Sequence, residues 1–233
     1  VPGQAAKDAL APKAAEVGVA MGRRGTDVAR EAAQAVLVDD DYTTLAHGIF
    51  EGRRFHDNLR KGVHYYLAVK TGLIAIFLLP VLAGLPLPFA PIQIIVLELF
   101  MDLAASAGFV AEPAQADVAL RPPRGRDAPL IDRAGVIAIL FKGALLFAAV
   151  MAAYAWALWR QLPAAGVQTS AFIAWMAAHV ALAYASRSDR GWIGWRNLFA
   201  NPVMNAWAAA ATAFVVLALT VAPLREVMKF GAI

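Results

Sequence analysis

Long apolar stretches separated by short polar ones fill this chain from about residue 63 onward. Candidate spans cover about 64–84, 91–110, 135–158, 169–186 and 203–222. At about 1.5 Å per residue, each approaches or exceeds the length that crosses a hydrocarbon core of about 30 Å. Residues 43–62 are polar and basic, with Leu45, Ile49 and Leu59 as sparse apolar positions, and no breaker separates them from Val63–Gly84. One helix, capped by Asp41, is therefore expected to run from water into the membrane as a stalk, with Pro80 kinking its far end. Residues 1–41 follow another pattern. Val17-Gly18-Val19-Ala20-Met21 and Val36-Leu37-Val38 read as short buried strands. Between them Thr26 caps a helix through about Ala35, with Asp27 in its first turn. This strand–helix–strand unit predicts part of a parallel α/β sheet. About 40 residues do not bury a complete core of that kind, so neighbouring strands are expected before Val1.

Composition agrees with the pattern. The chain is 60% hydrophobic and 16% charged, against about a quarter charged in soluble domains. With no cysteine, disulfides and thiolate metal sites are excluded. The net charge of +4 is expected to set orientation in a lipid bilayer rather than to bind nucleic acid. Arg53, Arg54, Arg60 and Lys61 precede the first span, Arg121, Arg124, Arg126 and Arg133 separate the second from the third, and Arg187, Arg190 and Arg196 separate the fourth from the fifth. The turn Leu85–Pro91 between the first two spans carries no charge. The three basic segments share one side, which makes that side and the N-terminal segment cytoplasmic, as in a plasma (bacterial inner) membrane. Residues 223–233, with Arg225 and Lys229, then fall outside as a tail. The first residue is Val1 and no signal peptide precedes the first polar segment, so the chain reads as an internal fragment or a truncated product.

The candidate chemistry lies inside the spans. Glu98 and Asp102 interrupt an otherwise apolar stretch at i, i+4 spacing, which puts both carboxylates on one helical face. Counted from Pro91, they sit about 10 and 16 Å into the membrane, near its middle. Ionisable groups at that depth are costly and mark ion or proton pathways, and two acidic oxygens suit a hard cation or a proton. The alternative is a neutralised pair with a structural role. Lys70 on the preceding span lies about 22 Å from the same side, an offset from Asp102 that its side chain can bridge, and is either paired with it or snorkelling to the headgroups. His179, deep in the fourth span, is a proton relay or a satisfied polar contact. Lys142 is expected to snorkel. His47, His56 and His64 lie along the stalk without metal-site spacing. Trp156, Trp159, Trp192 and Trp195 fall near span ends, as in an interfacial aromatic belt. Gly18, Gly22 and Gly25 lack the Gly-Lys-Ser/Thr of a phosphate loop.

Gly25-Thr26-Asp27-Val28-Ala29, Val36-Leu37-Val38-Asp39-Asp40, Glu51-Gly52-Arg53 and Asn58-Leu59-Arg60-Lys61 stand in an order that resembles P-type cation-transporting ATPases. The likeness is to the stretch where the phosphorylation domain passes through the stalk into the membrane. Gln93…Glu98…Asp102 and Arg121-Pro122-Pro123-Arg124 extend it, and the calcium-pump-like branch is the nearest pattern. The resemblance implies a mainly α, polytopic helical membrane protein of about five transmembrane helices, preceded by a small α/β remnant of a HAD-like phosphorylation domain. Residues 1–41 would be that remnant, 42–63 the stalk, 64–222 the transmembrane domain and 223–233 a truncated tail. Asp102 matches a cation-binding acid, Glu98 a position often held by an asparagine ligand, Thr71 a ligand position in the fifth family span and His179 one in the eighth. Lys70 stands where some proton-pumping members have a lysine, and Ile74 replaces a family glutamate, so calcium is not the expected ion.

The resemblance also implies ATP and Mg²⁺ as cofactors of the complete parent pump and none for this chain alone. Gly3-Gln4-Ala5-Ala6-Lys7-Asp8-Ala9 stands where the family has its Gly-Asp-Gly-x-Asn-Asp hinge. Asp8 is the retained acid, but Gln4 replaces the aspartate that holds Mg²⁺, and a neutral amide does not supply that charge. The phosphorylated Asp-Lys-Thr-Gly loop is absent from the sequence. The expected partners are the bilayer, a transported cation or proton and the missing N-terminal pump domains. A non-catalytic pseudo-pump or an unproductive truncation is the alternative. A passive channel or carrier ranks below both, since no inverted repeat appears.

Overall fold

The computed structural model describes residues 2–3, 15–122, 125, 128–188 and 195–233. It divides into two units: residues through Arg54 with Ala116–Arg121, and Phe55–Gln115 with Pro122–Ile233.

The smaller unit holds three parallel strands, β1 (Pro2–Gly3), β2 (Val19–Met21) and β3 (Ala35–Leu37), in that order, with Val19 opposite Ala35. Helix α1 (Asp27–Ala32) crosses between β2 and β3. Thr26 caps it as expected, its Oγ1 accepting from the Ala29 amide at 3.3 Å. The helix stops short of Ala35 because Gln34 and Ala35 both donate to the Gly18 carbonyl and start the strand. All of β2 is buried, as a central strand should be. At the edge, Val36 and Val38 are exposed and only Leu37 is buried, so the run expected to be buried is so in one residue of three. A side chain at Gly25 would strike the Met21 carbonyl at 2.1 Å, so that turn requires glycine. The Gly22 and Gly25 carbonyls face the Arg30 guanidinium, which closes the loop with protein rather than phosphate.

Helix α2 runs unbroken over Tyr42–Leu82, through Pro80. Asp41 Oδ1 accepts from the Thr43 amide at 2.8 Å at its start. Then come α3 (Pro91–Val96), a π-helical segment (Leu97–Leu103) and α4 (Ala104–Val110), which together form one span. Helices α5 (Arg133–Trp159), α6 (Ala164–Ala185), α7 (Trp195–Leu198), α8 (Pro202–Thr220) and α9 (Ala222–Val227) complete the chain. Among the described residues, five helices are long and apolar enough to cross a membrane. Two begin before their hydropathy does: α5 is capped by Asp132, and α6 starts after Pro163, five residues ahead of the expected 169.

The spans meet as membrane helices do, through small residues that let backbones approach. A Cβ on Gly143 of α5 would lie 2.8 Å from the Ala68 carbonyl, and one on Gly72 would lie 3.0 Å from the Gly143 carbonyl. The core between helices is apolar and aromatic, with Ile76, Val150, Phe172, Trp175 and Met204 buried. The segment read as a tail packs against this core. Met228 and Phe230 are buried, the Gly231 amide donates to Thr169 Oγ1 at 3.0 Å, and Phe230 lies 5.2 Å from Phe172 between ring centroids. Trp156 and Trp159 are exposed near the end of α5, as an interfacial belt requires.

Candidate ion site

Both membrane acids lie within the π-helical segment, whose wider turn keeps Glu98 and Asp102 on one side of the span. Facing them is Lys70, well inside α2. Its ammonium lies 2.5 Å from Glu98 Oε2 and 2.6 Å from Asp102 Oδ2. The Tyr66 ring, with its centroid 5.2 Å from Nζ, covers another side of the cation. The expected Lys70–Asp102 pair is thus one arm of a three-member cluster, and Lys70 points inward rather than to a headgroup. The side chains are 22% exposed for Lys70, 7% for Asp102 and 42% for Glu98, so the cluster is closed at Asp102 and open at Glu98.

Two carboxylates and one ammonium leave one negative charge in excess. A carboxylate pair in low dielectric is stable only with compensating charge, and Lys70 supplies half of it. The arrangement suits one further unit of positive charge. Among the described residues, no three His, Asp or Glu side chains gather as a metal cage.

His179 comes from α6 to the closed end. It is fully buried, with Nε2 3.6 Å from Asp102 Oδ1, just beyond a hydrogen bond. Neither ring nitrogen has a partner in the described structure, and Tyr65 Oη and Trp175 Nε1 are orphaned likewise. The rings of Tyr65, Trp175 and Trp207 surround the imidazole at centroid distances of 5.4, 5.5 and 6.1 Å. Among the described residues, no hydrogen bond satisfies the imidazole. Thr71 turns elsewhere: its Oγ1 donates to the Leu67 carbonyl at 2.8 Å, and its Cβ faces Gly143. Lys142 donates to Ser186 Oγ at 3.1 Å, toward the end of α6. Asp8, Gln4, Lys7, Arg124, Arg126, Arg190 and Trp192 lie outside the described residues, as does the Trp195 side chain.

A second polar cluster was not foreseen. Arg187 Nε donates to both Glu112 oxygens at 3.0 and 2.9 Å, and its terminal nitrogens donate to the Leu198 and Asn197 carbonyls at 2.7 and 3.1 Å. Asn201 Nδ2 donates to Glu112 Oε2 at 2.6 Å and to the Gly108 carbonyl at 2.8 Å. Asn58 of α2 donates to the Glu112 carbonyl at 2.7 Å. Arg187, counted from sequence among the basic residues between the fourth and fifth spans, is buried because Glu112 receives it. The one available signal was a lone acid just after an apolar span, on the side where Arg187 also emerges.

In the smaller unit, Asp39, Asp40 and Asp41 serve the loop. Asp39 accepts from Thr44 Oγ1 at 2.6 Å and from the Asp41 amide at 3.1 Å, which hold its carboxyl below the usual range. Asp40 accepts from the Arg23 and Arg24 amides, both at 2.8 Å. Asp41, the helix cap, is likewise held low by the Thr43 amide.

Residues 86–233 match the family model "Cation transporting ATPase, C-terminus". The mouse calcium-transporting ATPase type 2C member 2 is 30% identical over 72% of this chain and 17% of its own length. A calcium-transporting ATPase of Bacillus subtilis is 43% identical over 52% of the chain and 14% of its length. The probable cation-transporting ATPase F of Mycobacterium bovis is 37% identical over 67% and 17%. The matched stretch thus spans about a sixth of these relatives. With its acid-bearing span, membrane helices and matched C-terminal region, this chain belongs to the P-type cation-transporting ATPases and carries their C-terminal transmembrane domain.

Proposed function

We propose that this chain is the transport half of an ATP-driven cation pump, in which Glu98 and Asp102 take up one cation or proton beside a built-in counter-charge, Lys70. The observation that carries the reading is the ammonium seated within 2.6 Å of both carboxylates. Calcium asks for six to eight oxygens at about 2.3–2.6 Å, and a lysine occupying both acids competes with that shell. The excess of one negative charge favours a proton or a monovalent ion, although two of the relatives are named calcium-transporting.

The unbroken helix Tyr42–Leu82 supports a coupling role. Movement delivered to its N-terminal part shifts Lys70 against the acids, changing their exposure and affinity. His179, with Nε2 3.6 Å from Asp102 Oδ1, is a neighbour of the site at its closed end. Basic residues at the ends of the spans support a cytoplasmic N-terminal segment.

ATP and Mg²⁺ belong to the complete pump. The described residues do not fit them: the Asp39, Asp40 and Asp41 carboxylates are engaged by backbone amides, Thr44 and Arg24. With no Asp-Lys-Thr-Gly loop in the sequence, the isolated chain is expected to hydrolyse no ATP. Gln4 in place of the hinge aspartate favours a second reading, a pseudo-pump without a catalytic cycle. In the complete pump, Asp102→Asn should abolish ion-dependent phosphorylation. Phosphorylation that keeps its ion dependence in this variant would remove Asp102 from the site. ATP hydrolysis by the purified chain, lost in Asp8→Ala, would contradict its inactivity.

A further inference from the structure

We infer that Asn58, together with the buried Glu112–Arg187–Asn201 cluster, sets the register in which Lys70 meets Glu98 and Asp102, so that these are positioning residues of the ion site. The inference rests on the proposed role of the two acids, but concerns how their geometry is held. Helix α2 and the acid-bearing span run antiparallel and touch at three levels. Asn58 Nδ2 donates to the Glu112 carbonyl at 2.7 Å. Further along, a Cβ on Gly62 would lie 3.4 Å from Phe109 Cβ, and the Tyr65 and Phe109 rings lie 4.9 Å apart. Then Lys70 reaches both acids.

The Tyr65–Phe109 level is apolar and tolerates sliding, because dispersion is non-directional. The two end levels do not. A one-residue slip moves one helix by about 1.5 Å and turns it by about 100°. That exceeds the tolerance of a hydrogen bond and would separate Lys70 from the carboxylates. Asn58 is 2% exposed and its acceptor is a backbone carbonyl, so the contact reads backbone register directly. The Glu112 backbone is itself fixed because its carboxylate is held by Arg187 and Asn201. Asn201 also grips the Gly108 carbonyl, one turn back on the same span.

The test reads the Lys70 contact rather than transport. The full chain in phospholipid vesicles is treated with a membrane-permeant carbodiimide at neutral pH, and labelling of Asp102 is quantified by mass spectrometry. An ammonium seated on the carboxylate shields it, so Lys70→Met should raise labelling severalfold. Asn58→Asp, isosteric but without the donor, and Arg187→Lys, which keeps the charge but loses the fork, should each raise it similarly. Neither should add anything in the Lys70→Met background. Wild-type labelling in Asn58→Asp or Arg187→Lys with unchanged helical content would overturn the inference. So would an increase of equal size with and without Lys70. If one variant fails to fold, the other decides. Loss of transport in Asp102→Asn is a separate result and tests the acids' role alone.

Discussion

Replacing Arg187 with methionine should be among the most destabilising single changes in the membrane unit. The Arg187 side chain is 1% exposed and the Glu112 side chain 9%. The substitution keeps similar apolar bulk but removes Nε from both carboxylate oxygens and the two donors to the Leu198 and Asn197 carbonyls. Glu112 is then left with Asn201 Nδ2 as its identified side-chain donor. Breaking a buried pair on one side costs about 3–5 kcal/mol, because a charge stays behind uncompensated. The two orphaned carbonyls set a scale of roughly 1 kcal/mol each for their lost bonds, overlapping with that figure. The sign of the double variant is diagnostic: Arg187→Met with Glu112→Gln removes both charges and should be less destabilised than Arg187→Met alone. Unfolding in mixed micelles followed by circular dichroism, with the detergent composition varied, measures all three forms. A loss below about 1 kcal/mol for Arg187→Met, or a double variant weaker than the single one, would refute a charge-paired anchor.

Gly143→Ala should cost about 1–3 kcal/mol, because the new methyl meets the Ala68 carbonyl at 2.8 Å and helix α2 has to yield; unchanged stability would mean the helices are not in that contact. Asp39 should contribute stability in full above the ordinary carboxylate range and lose it as pH falls through its depressed folded value. Thr44→Val should move its titration, followed by carboxyl-carbon NMR, back toward the ordinary range, and an unmoved midpoint would exclude the Thr44 hydroxyl as the cause.

The spans were legible because hydropathy in a bilayer is a one-dimensional property: twenty or so apolar residues suffice, whatever they pack against. The helix starts were less so, since Asp132 and Pro163 begin helices a few residues ahead of the spans read from hydropathy. Glu98 and Asp102 were visible for their rarity in lipid, and Lys70 for its depth. That Lys70 bridges both acids depends on the register of two helices and on the π-helical turn, neither of which leaves a periodic trace in sequence. The burial of Arg187 was hidden for a similar reason. A basic residue after a span usually faces water, and only the fold brings it to Glu112, 75 positions away. The tail was likewise obscured, because the burial of Met228 and Phe230 depends on α6 and α3 offering Thr169, Phe172 and Gln93 to receive them.

The central claim is that Glu98 and Asp102, bridged by Lys70, hold the transported ion. The most direct measurement is ATP-driven uptake by the complete pump in sealed vesicles, comparing wild type with Asp102→Asn and following internal pH, labelled monovalent cations and labelled calcium in parallel. The wild type is expected to take up a proton or a monovalent cation and little or no calcium, and Asp102→Asn none of it. Undiminished uptake in the variant would contradict the site, and calcium uptake by the wild type would contradict the charge reading.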